Sequence, residues 1–299
     1  MKRTVNHVFN YLVLATFCVV IVSSCNNTNQ GDKQNGNNED VAQDTLVSLT
    51  QVWKTDSTFI GSESTLYNPD NNTIYVSCGN TDAGAKDGDG FIALLNPDGS
   101  AKKMDWVTGL HAPKGMAILN GKLYVTDIDE VKIIDLETAK IENTIAVKGA
   151  KFLNDLASDG TSIYFSDSKT GIVYFLNQKG DVKAVINNSE GVNGVECYEG
   201  NLYTLDKEGL KKYDTLEYKS TLLNSEVTGG DGLVILNDST FIASRWAGEI
   251  YLIKGSETTL LVDTKEEKSN TADIGFIADQ DLVLVPTFMK NEVAAYKMR

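Results

Sequence analysis

The amino-acid sequence predicts an all-β chain folded as a six-bladed β-propeller, and three observations support this. First, one phrase recurs six times: a polar residue, a small residue, an apolar strand, a turn rich in Asn or Asp, and a second apolar strand. Second, successive copies start 51, 40, 39, 38 and 42 residues apart, and a period of about forty with four strands per unit is typical of propellers. Third, no segment keeps the apolar spacing of an amphipathic helix over ten or more residues. The polar residues that open the copies are Glu63, Lys114, Asn154, Asn193, Asp231 and Asp273.

The individual strands are predicted from short runs of β-branched and aromatic residues bounded by Gly, Asn, Asp or Ser. In the third unit the predicted strands are 154–157, 162–166, 171–177 and 182–186, and in the fourth they are 194–197, 201–205, 209–214 and 218–223. Five units carry an aromatic residue in the second strand, which we expect to pack between blades: Tyr75, Tyr124, Tyr164, Tyr203 and Phe241.

The sixth unit has only three predicted strands, over 274–278, 282–286 and 292–297, before the chain ends. A spare strand is predicted at the other end of the domain, over 46–53. We therefore expect the N-terminal strand to complete the last blade. Such pairing would close the ring with main-chain hydrogen bonds and remove two exposed sheet edges.

The N-terminus has the pattern of an export signal. A basic start is followed by an apolar run over 8–22, too short for a stable membrane span, and then by Ser23, Ser24 and Cys25. Small residues before a cysteine resemble the lipobox of exported bacterial lipoproteins, of the Bacteroidetes type. This resemblance implies a signal peptide over 1–24 and a lipid on Cys25 that anchors the protein to a membrane. An ordinary signal peptide with an incidental Cys25 is the alternative.

The segment over 25–44 is polar and rich in Asn, so we expect a disordered tether, with the propeller over 45–299. Asn26 follows the cysteine where an Asp would retain the lipoprotein at the inner membrane, which favours the outer membrane of the cell envelope. The sequence leaves open which side of that membrane the domain faces.

Removal of the signal leaves 25 basic against 41 acidic residues, a net charge of −16. No Lys or Arg cluster stands out, so we expect no nucleic-acid partner. Two cysteines remain in the domain, Cys78 in the first unit and Cys197 in the fourth. These units lie across a six-membered ring, too far apart for a disulfide, so we expect two buried free thiols.

The first strand of each propeller blade lines the central channel, so the six opening residues should converge at one mouth. Glycines after Asn193 and Asp231 would let neighbouring backbones approach closely. Carboxylate and amide oxygens without sulfur or imidazole suit a hard cation. The alternative is a hydrated polar channel without a metal.

Four parts of this ring resemble the SMP-30/gluconolactonase/luciferin-regenerating-enzyme family, with similarity over the whole predicted propeller. They are Glu63, Asn154-Asp155, Asn193-Gly194 and Asp231-Gly232. The resemblance implies a six-bladed propeller that holds one divalent cation on Glu63, Asn193 and Asp231. Ca²⁺ is the first candidate, with Mg²⁺, Mn²⁺ or Zn²⁺ as alternatives. It also implies that Asn154 contacts the substrate or the metal-bound water. The chain departs from the family at Phe152, where an arginine that contacts sugars is usual.

The resemblance further implies metal-assisted hydrolysis of a lactone or ester, in which Asp231 takes a proton. Lys114 is the candidate for stabilising the developing oxyanion, and a salt bridge to Glu63 or Asp273 is the alternative. Asp273 and three residues near the mouth are further candidates for substrate contact: His111, Arg245 and Trp246.

The sequence lacks the motifs of two other catalytic classes. There is no Gly-x-Ser-x-Gly elbow and no phosphate-binding Gly-Lys loop. The stretch 113–117 resembles NHL-type propellers, in which blades serve mainly as binding surfaces. The alternative function is therefore a non-catalytic propeller that binds a glycan, a small ligand or an envelope protein.

Overall fold

Short runs of β-branched and aromatic residues form the strands of this protein, and Gly, Asn and Asp occupy the turns between them. The computed structural model describes residues 47–80 and 82–299, in which the chain forms 24 strands and one 3-10 helix, Ala278–Gln280. The strands make six antiparallel four-stranded sheets, one for each sequence repeat. The predicted all-β, six-bladed propeller is therefore confirmed.

Blades 1 to 5 each run from an inner strand to an outer strand in chain order. Blade 1 contains β2 (Ser62–Asn68), β3 (Thr73–Cys78), β4 (Gly90–Leu95) and β5 (Ala101–Leu110). Blade 2 contains β6 (Pro113–Leu119), β7 (Lys122–Asp127), β8 (Glu130–Asp135) and β9 (Lys140–Ala146). Blade 3 contains β10 (Leu153–Ser158), β11 (Ile163–Asp167), β12 (Ile172–Leu176) and β13 (Val182–Ile186). Blade 4 contains β14 (Val195–Tyr198), β15 (Asn201–Asp206), β16 (Gly209–Asp214) and β17 (Ser220–Asn224). Blade 5 contains β18 (Leu233–Asn237), β19 (Thr240–Arg245), β20 (Glu249–Lys254) and β21 (Glu257–Asp263).

Blade 6 joins the two ends of the domain. Its inner strands are β22 (Gly275–Ile277), β23 (Leu282–Pro286) and β24 (Val293–Met298), and its outer strand is β1 (Leu49–Lys54). Strand β1 pairs antiparallel with β24 from Leu49 opposite Met298 to Lys54 opposite Ala294. The predicted N-terminal closing strand is confirmed, although it starts at Leu49 within the described residues.

The core lies between blades rather than within them. Tyr75 of blade 1 belongs to a buried cluster with Met116 and Leu123 of blade 2. Tyr203 of blade 4 packs against Phe241 of blade 5, with ring centroids 5.7 Å apart. These contacts confirm that the aromatic residue of the second strand packs between blades, and each blade therefore depends on its neighbour for burial.

A hydroxyl in the second strand also links neighbouring inner strands. Ser166 accepts a hydrogen bond from the Asp155 amide at 3.1 Å and donates one to the Asn193 carbonyl at 2.7 Å. Ser244 likewise accepts from the Gly232 amide at 2.8 Å and donates to the Ala272 carbonyl at 2.7 Å. These buried bonds hold the channel-lining strands in register at the mouth.

Several predicted features lie outside the described residues: the signal peptide over 1–24, the lipidated Cys25 and the tether over 25–44. Within the described ranges, no helix is long and apolar enough to cross a membrane. Both remaining cysteines are free, as predicted; Cys78 is buried, whereas Cys197 is only half-buried.

Candidate functional site

Five polar side chains lie at one mouth of the central channel, at or just before the start of the inner strands of blades 1 to 5. Three lie where the inner strand breaks its regular pairing: register shifts occur between Ser62 and Ser64, between Pro113 and Met116, and between Leu153 and Leu156. Such bulges redirect side chains and are common beside active sites. The residues at these bulges are Glu63, Lys114 and Asn154, and Asn193 and Asp231 lie just before β14 and β18.

Asp273 does not lie at the mouth position that its place in the repeat predicts. Ser244 bonds to the carbonyl of Ala272 in the same way that Ser166 bonds to the carbonyl of Asn193. Ala272 is therefore the residue equivalent to Asn193, and Asp273 lies one residue further into the channel. There its carboxylate accepts a 2.5 Å hydrogen bond from the Ser64 hydroxyl.

Asn193 and Asp231 are held together at the mouth. The Asn193 side-chain NH₂ donates to Asp231 Oδ1 at 2.7 Å, which leaves Asn193 Oδ1 free to accept. Asn193 Oδ1 and Glu63 Oε2 are both buried and have no hydrogen-bond partner. Buried acceptors are normally satisfied, so these two oxygens remain able to accept a hydrogen bond or to coordinate a cation.

Burial shifts the pKa values of the ionisable groups at the mouth. Glu63 is only 7% exposed, and burial raises its pKa to about 7, with Lys114 opposing the rise and Asp273 adding to it. Burial, with Glu63 and Asp273 nearby, raises the pKa of Asp231 well above its usual range. Burial also lowers the pKa of the Lys114 ammonium, against the attraction of Glu63. A bound cation would favour the ionised carboxylates and remove much of this cost.

Lys114 is held by the backbone. Its ammonium donates to the carbonyls of Ala83 at 2.8 Å and Ala112 at 2.9 Å, and lies 4.7 Å from the centre of the Phe152 ring. Lys169 places a second ammonium 4.6 Å from the same ring. Phe152 thus supports two cations beside the mouth at the place where the resembled family has an arginine.

His111 and Arg245 hold loops at this end of the propeller. The His111 backbone amide donates to the Asp127 carboxylate, while its ring Nδ1 is buried without a partner. The Arg245 guanidinium donates to the carbonyls of Glu226 and Thr228 at 2.9 Å, so it braces the loop that leads to Asp231. The structure therefore places Arg245 as a support of the mouth.

Trp246 is the exposed member of the predicted substrate set. Its side chain is 46% exposed, and its ring meets the edge of Phe288 at 5.9 Å between centroids. Thr271, from the segment leading to β22, donates to the Arg245 carbonyl at 2.6 Å. Trp246 therefore lies on the mouth face between blades 5 and 6.

Asp155, to which the sequence analysis gave no role, forms a second acidic layer with Asp273 below the mouth. Asp155 accepts hydrogen bonds from the amides of Leu156 and Val195, both at 2.6 Å, and burial and Asp273 raise its pKa well above the usual range. Asp155 and Asp273 border a channel cavity of about 300 Å³. The Asn154-Asp155 dipeptide contained this signal, because adjacent residues of a bulged strand can both reach the channel.

Among residues 47–80 and 82–299, no group of three or more His, Cys, Asp or Glu side chains is arranged to hold a metal ion. The oxygen set at the mouth has a different composition. It combines the carboxylates of Glu63 and Asp231 with the amide oxygen of Asn193. These are hard oxygen donors from three blades, of the kind that Ca²⁺ accepts.

Two solved structures similar to this protein show the same fold. A catalytically inactive virginiamycin B lyase from Staphylococcus aureus, in complex with quinupristin, matches with a TM-score of 0.57 and 13% identity over 84% of this chain and 98% of that one. A streptogramin B lyase matches with a TM-score of 0.59 and 12% identity over 85% and 97%. At this identity the likeness establishes the propeller fold alone.

No curated protein matches the chain. The sequence model of one family, described as a domain of unknown function (DUF5074), matches residues 58–290. That span covers blades 1 to 5, strands β22 and β23 of blade 6, and all five mouth residues. The chain is a member of the DUF5074 family.

Proposed function

We propose that the mouth of the propeller binds one divalent cation and that the protein hydrolyses lactones or esters with its help. The observation that carries this proposal is the pair of buried, unpartnered oxygens, Glu63 Oε2 and Asn193 Oδ1, beside the raised-pKa carboxyl of Asp231. The cation would be held by these three residues. Ca²⁺ fits the all-oxygen set best, with Mg²⁺, Mn²⁺ and Zn²⁺ as alternatives.

A divalent cation at this place supplies Lewis-acid polarisation of a carbonyl group. The protein's own groups supply the remaining functions. Asp231 would hold the cation through Oδ1, which also accepts the hydrogen bond from Asn193, and would take the proton of the attacking water on its other carboxylate oxygen. Lys114, fixed by two carbonyls and the Phe152 ring, adds a stationary positive charge near the developing oxyanion.

Asn154, on blade 3 beside the blade of Asn193, would orient the substrate. Its NH₂ group donates to the Ser168 hydroxyl at 3.1 Å, and this bond fixes the direction of its amide oxygen. His111 and Trp246 are the other candidate substrate contacts, whereas Asp273 lies deeper in the channel, where it is bonded to Ser64. The resemblance of Glu63, Asn154, Asn193 and Asp231 to the SMP-30/gluconolactonase/luciferin-regenerating-enzyme family supports both the ligand set and the reaction class.

The second candidate function is a non-catalytic propeller that binds a small ligand, a glycan or an envelope protein. It is favoured by Phe152, which replaces the sugar-contacting arginine, and by Arg245, whose guanidinium is engaged with loop carbonyls. Both candidates use the same mouth. They differ in whether a bound ester is turned over.

Metal content and turnover separate these candidates. The purified domain is dialysed against EDTA, titrated with CaCl₂ by calorimetry, and assayed with a panel of lactones and aryl esters. We expect stoichiometric Ca²⁺ binding that Glu63→Gln abolishes and Glu137→Gln, an exposed control, leaves intact. Equal binding in both variants would refute the cation site; binding without any turnover would support the second candidate.

We also propose that a lipid on Cys25 anchors the protein to the cell envelope, at the outer rather than the inner membrane. The support is the apolar run that ends just before Ser23, Ser24 and Cys25. Fractionation of cells that express the wild type or Cys25→Ser tests this. The wild type should sediment with outer membranes and the variant should be released; equal sedimentation would refute the anchor.

A further inference from the structure

Exposed apolar side chains are unevenly distributed over the propeller. Eight large apolar residues are exposed in the described part of the chain. Four lie on outer strands, and Leu216 lies in a turn at the opposite end from the mouth. The remaining three lie on the mouth face in adjacent blades 5, 6 and 1: Trp246, Met289 and Ile60.

Hydrogen bonds join the three loops that carry these residues. Asn270 donates to the Trp246 carbonyl at 2.9 Å and accepts from the Met289 amide at 3.1 Å, so it joins the blade 5 and blade 6 loops. Asn291 accepts from the Gly61 amide at 2.9 Å and thereby joins the loop that contains Ile60. We call Ile60, Trp246 and Met289 the apolar platform.

The apolar platform is continuous with the mouth. The buried ring of Phe288 lies under Trp246, and the Phe288 backbone forms a β-bridge with Ser62. Ser62 directly precedes Glu63, whose buried Oε2 has no hydrogen-bond partner and is one of the proposed cation ligands. A ligand whose carbonyl reaches Glu63 and Asp231 would therefore extend its substituent over the platform.

From this arrangement we infer that the substrate is a lactone or ester with an aromatic or branched alkyl substituent, rather than a polyhydroxylated sugar lactone. The inference rests on the proposed function for the position of the carbonyl. The platform supplies the specificity: side chains that are 46%, 54% and 47% exposed at Trp246, Met289 and Ile60 can each bury further apolar area against such a group. They present no hydrogen-bonding groups for sugar hydroxyls apart from the indole N–H.

A matched pair of probes tests the platform: γ-phenyl-γ-butyrolactone and unsubstituted γ-butyrolactone. The wild type should hydrolyse the phenyl lactone with the higher kcat/KM. Trp246→Ser should reduce the ratio of the two kcat/KM values about tenfold, in line with the apolar area lost. Met289→Ser is a second variant, and Leu216→Ser at the opposite end should leave the ratio unchanged. Thermal unfolding confirms that each variant is folded.

Binding of the non-hydrolysable lactam 5-phenyl-2-pyrrolidinone, measured by calorimetry in Ca²⁺, distinguishes failure of the platform from failure of the hydrolase proposal. If neither lactone is hydrolysed but the lactam binds and Trp246→Ser weakens it about tenfold, the platform stands and the hydrolase proposal falls. If both lactones are hydrolysed equally well, if the lactam does not bind, or if Trp246→Ser changes neither ratio nor affinity, the platform is refuted.

Discussion

At the scale of single residues, Glu63 shows how burial in the fold changes the pKa of a carboxyl group. An ordinary carboxyl group titrates near 4.5, whereas burial at the channel mouth raises the pKa of Glu63 to about 7. Asp231 lies in the same field, and burial raises its pKa as well. Without a cation, burial favours the protonated form of both carboxyl groups. The stability of the folded protein should therefore depend on pH.

This sensitivity gives a prediction for the cation-free protein. A carboxyl whose folded pKa exceeds its unfolded value releases its proton more readily on unfolding, so stability falls as pH rises from about 4.5 to above 7. Glu63→Gln resembles the protonated form and should make this fall smaller, whereas Glu137→Gln should not. Urea unfolding in EDTA at several pH values measures the slope. Identical slopes for wild type and Glu63→Gln would contradict the prediction.

At the scale of elements, the inner strands approach each other more closely than side chains allow. A Cβ at Gly232 would lie 2.2 Å from the Ile274 amide nitrogen, and one at Gly194 would lie 2.3 Å from the Asp231 carbonyl oxygen. The Asn-Gly and Asp-Gly dipeptides are therefore packing requirements of the channel. In each dipeptide the polar residue lies at the mouth, and the glycine after it lets the neighbouring inner strands approach closely.

Gly232→Ala should accordingly destabilise the protein by about 3 kcal/mol or more, because the clash is with backbone atoms of the neighbouring blade. Gly79→Ala is a matched control, since its Cβ would find the nearest atom at 3.5 Å. The control should cost less than about 1 kcal/mol. Chemical denaturation measures both, and equal losses would mean that the close approach is not limiting.

The closing strand is the second element with a testable role. Strand β1 covers the outer edge of β24, and Ser48 and Arg299 exchange two main-chain hydrogen bonds of 3.0 Å at its end. A chain that starts at Asp56 lacks this strand and should expose the edge of β24. We expect a lower Tm and aggregation in size-exclusion chromatography, whereas a chain that starts at Val47 should remain monodisperse. Equal behaviour of the two chains would show that closure is dispensable.

At the scale of the whole molecule, the reactivity of the two thiols can measure how often different parts of the propeller open. Cys78 is fully buried in the cluster between blades 1 and 6, whereas Cys197 is half-buried beside the channel cavity. Burial raises the pKa of both thiols, which lowers the fraction of reactive thiolate. Their reactivity should therefore depend on how often each site opens.

With a disulfide reagent such as DTNB, we expect Cys197 to react first and Cys78 to react only at the rate of global unfolding. The variants Cys78→Ala and Cys197→Ala assign the two phases. A cation that stabilises the folded ring should slow the Cys78 phase. If Cys78 reacts as fast as Cys197 under native conditions, the ring opens locally at blade 1 and the prediction is wrong.

Sequence reasoning recovered most of the fold because a propeller repeats one local pattern. The strands predicted over 182–186, 209–214 and 282–286 have the bounds that the structure shows, and the need for a closing strand followed from counting strands in the sixth unit. The expectation that Glu63, Lys114, Asn154, Asn193 and Asp231 lie at the same end of the channel came from the same repeat. Each of these inferences depended only on spacing along the chain.

The sequence by itself determined the number of blades and the closing strand, because hydrophobic period and turn residues act locally, and it supplied the candidates for the mouth. Tertiary structure decided the rest. Only the bond from Ser244 to the Ala272 carbonyl shows that Asp273 lies one residue deeper, and only the packed loops show that Arg245 is a brace and Trp246 part of an apolar platform. A β-bulge shifts a side chain without changing the repeat length. Contacts between blades join residues that are far apart in the chain. Neither effect can therefore be read from the spacing of residues in the sequence.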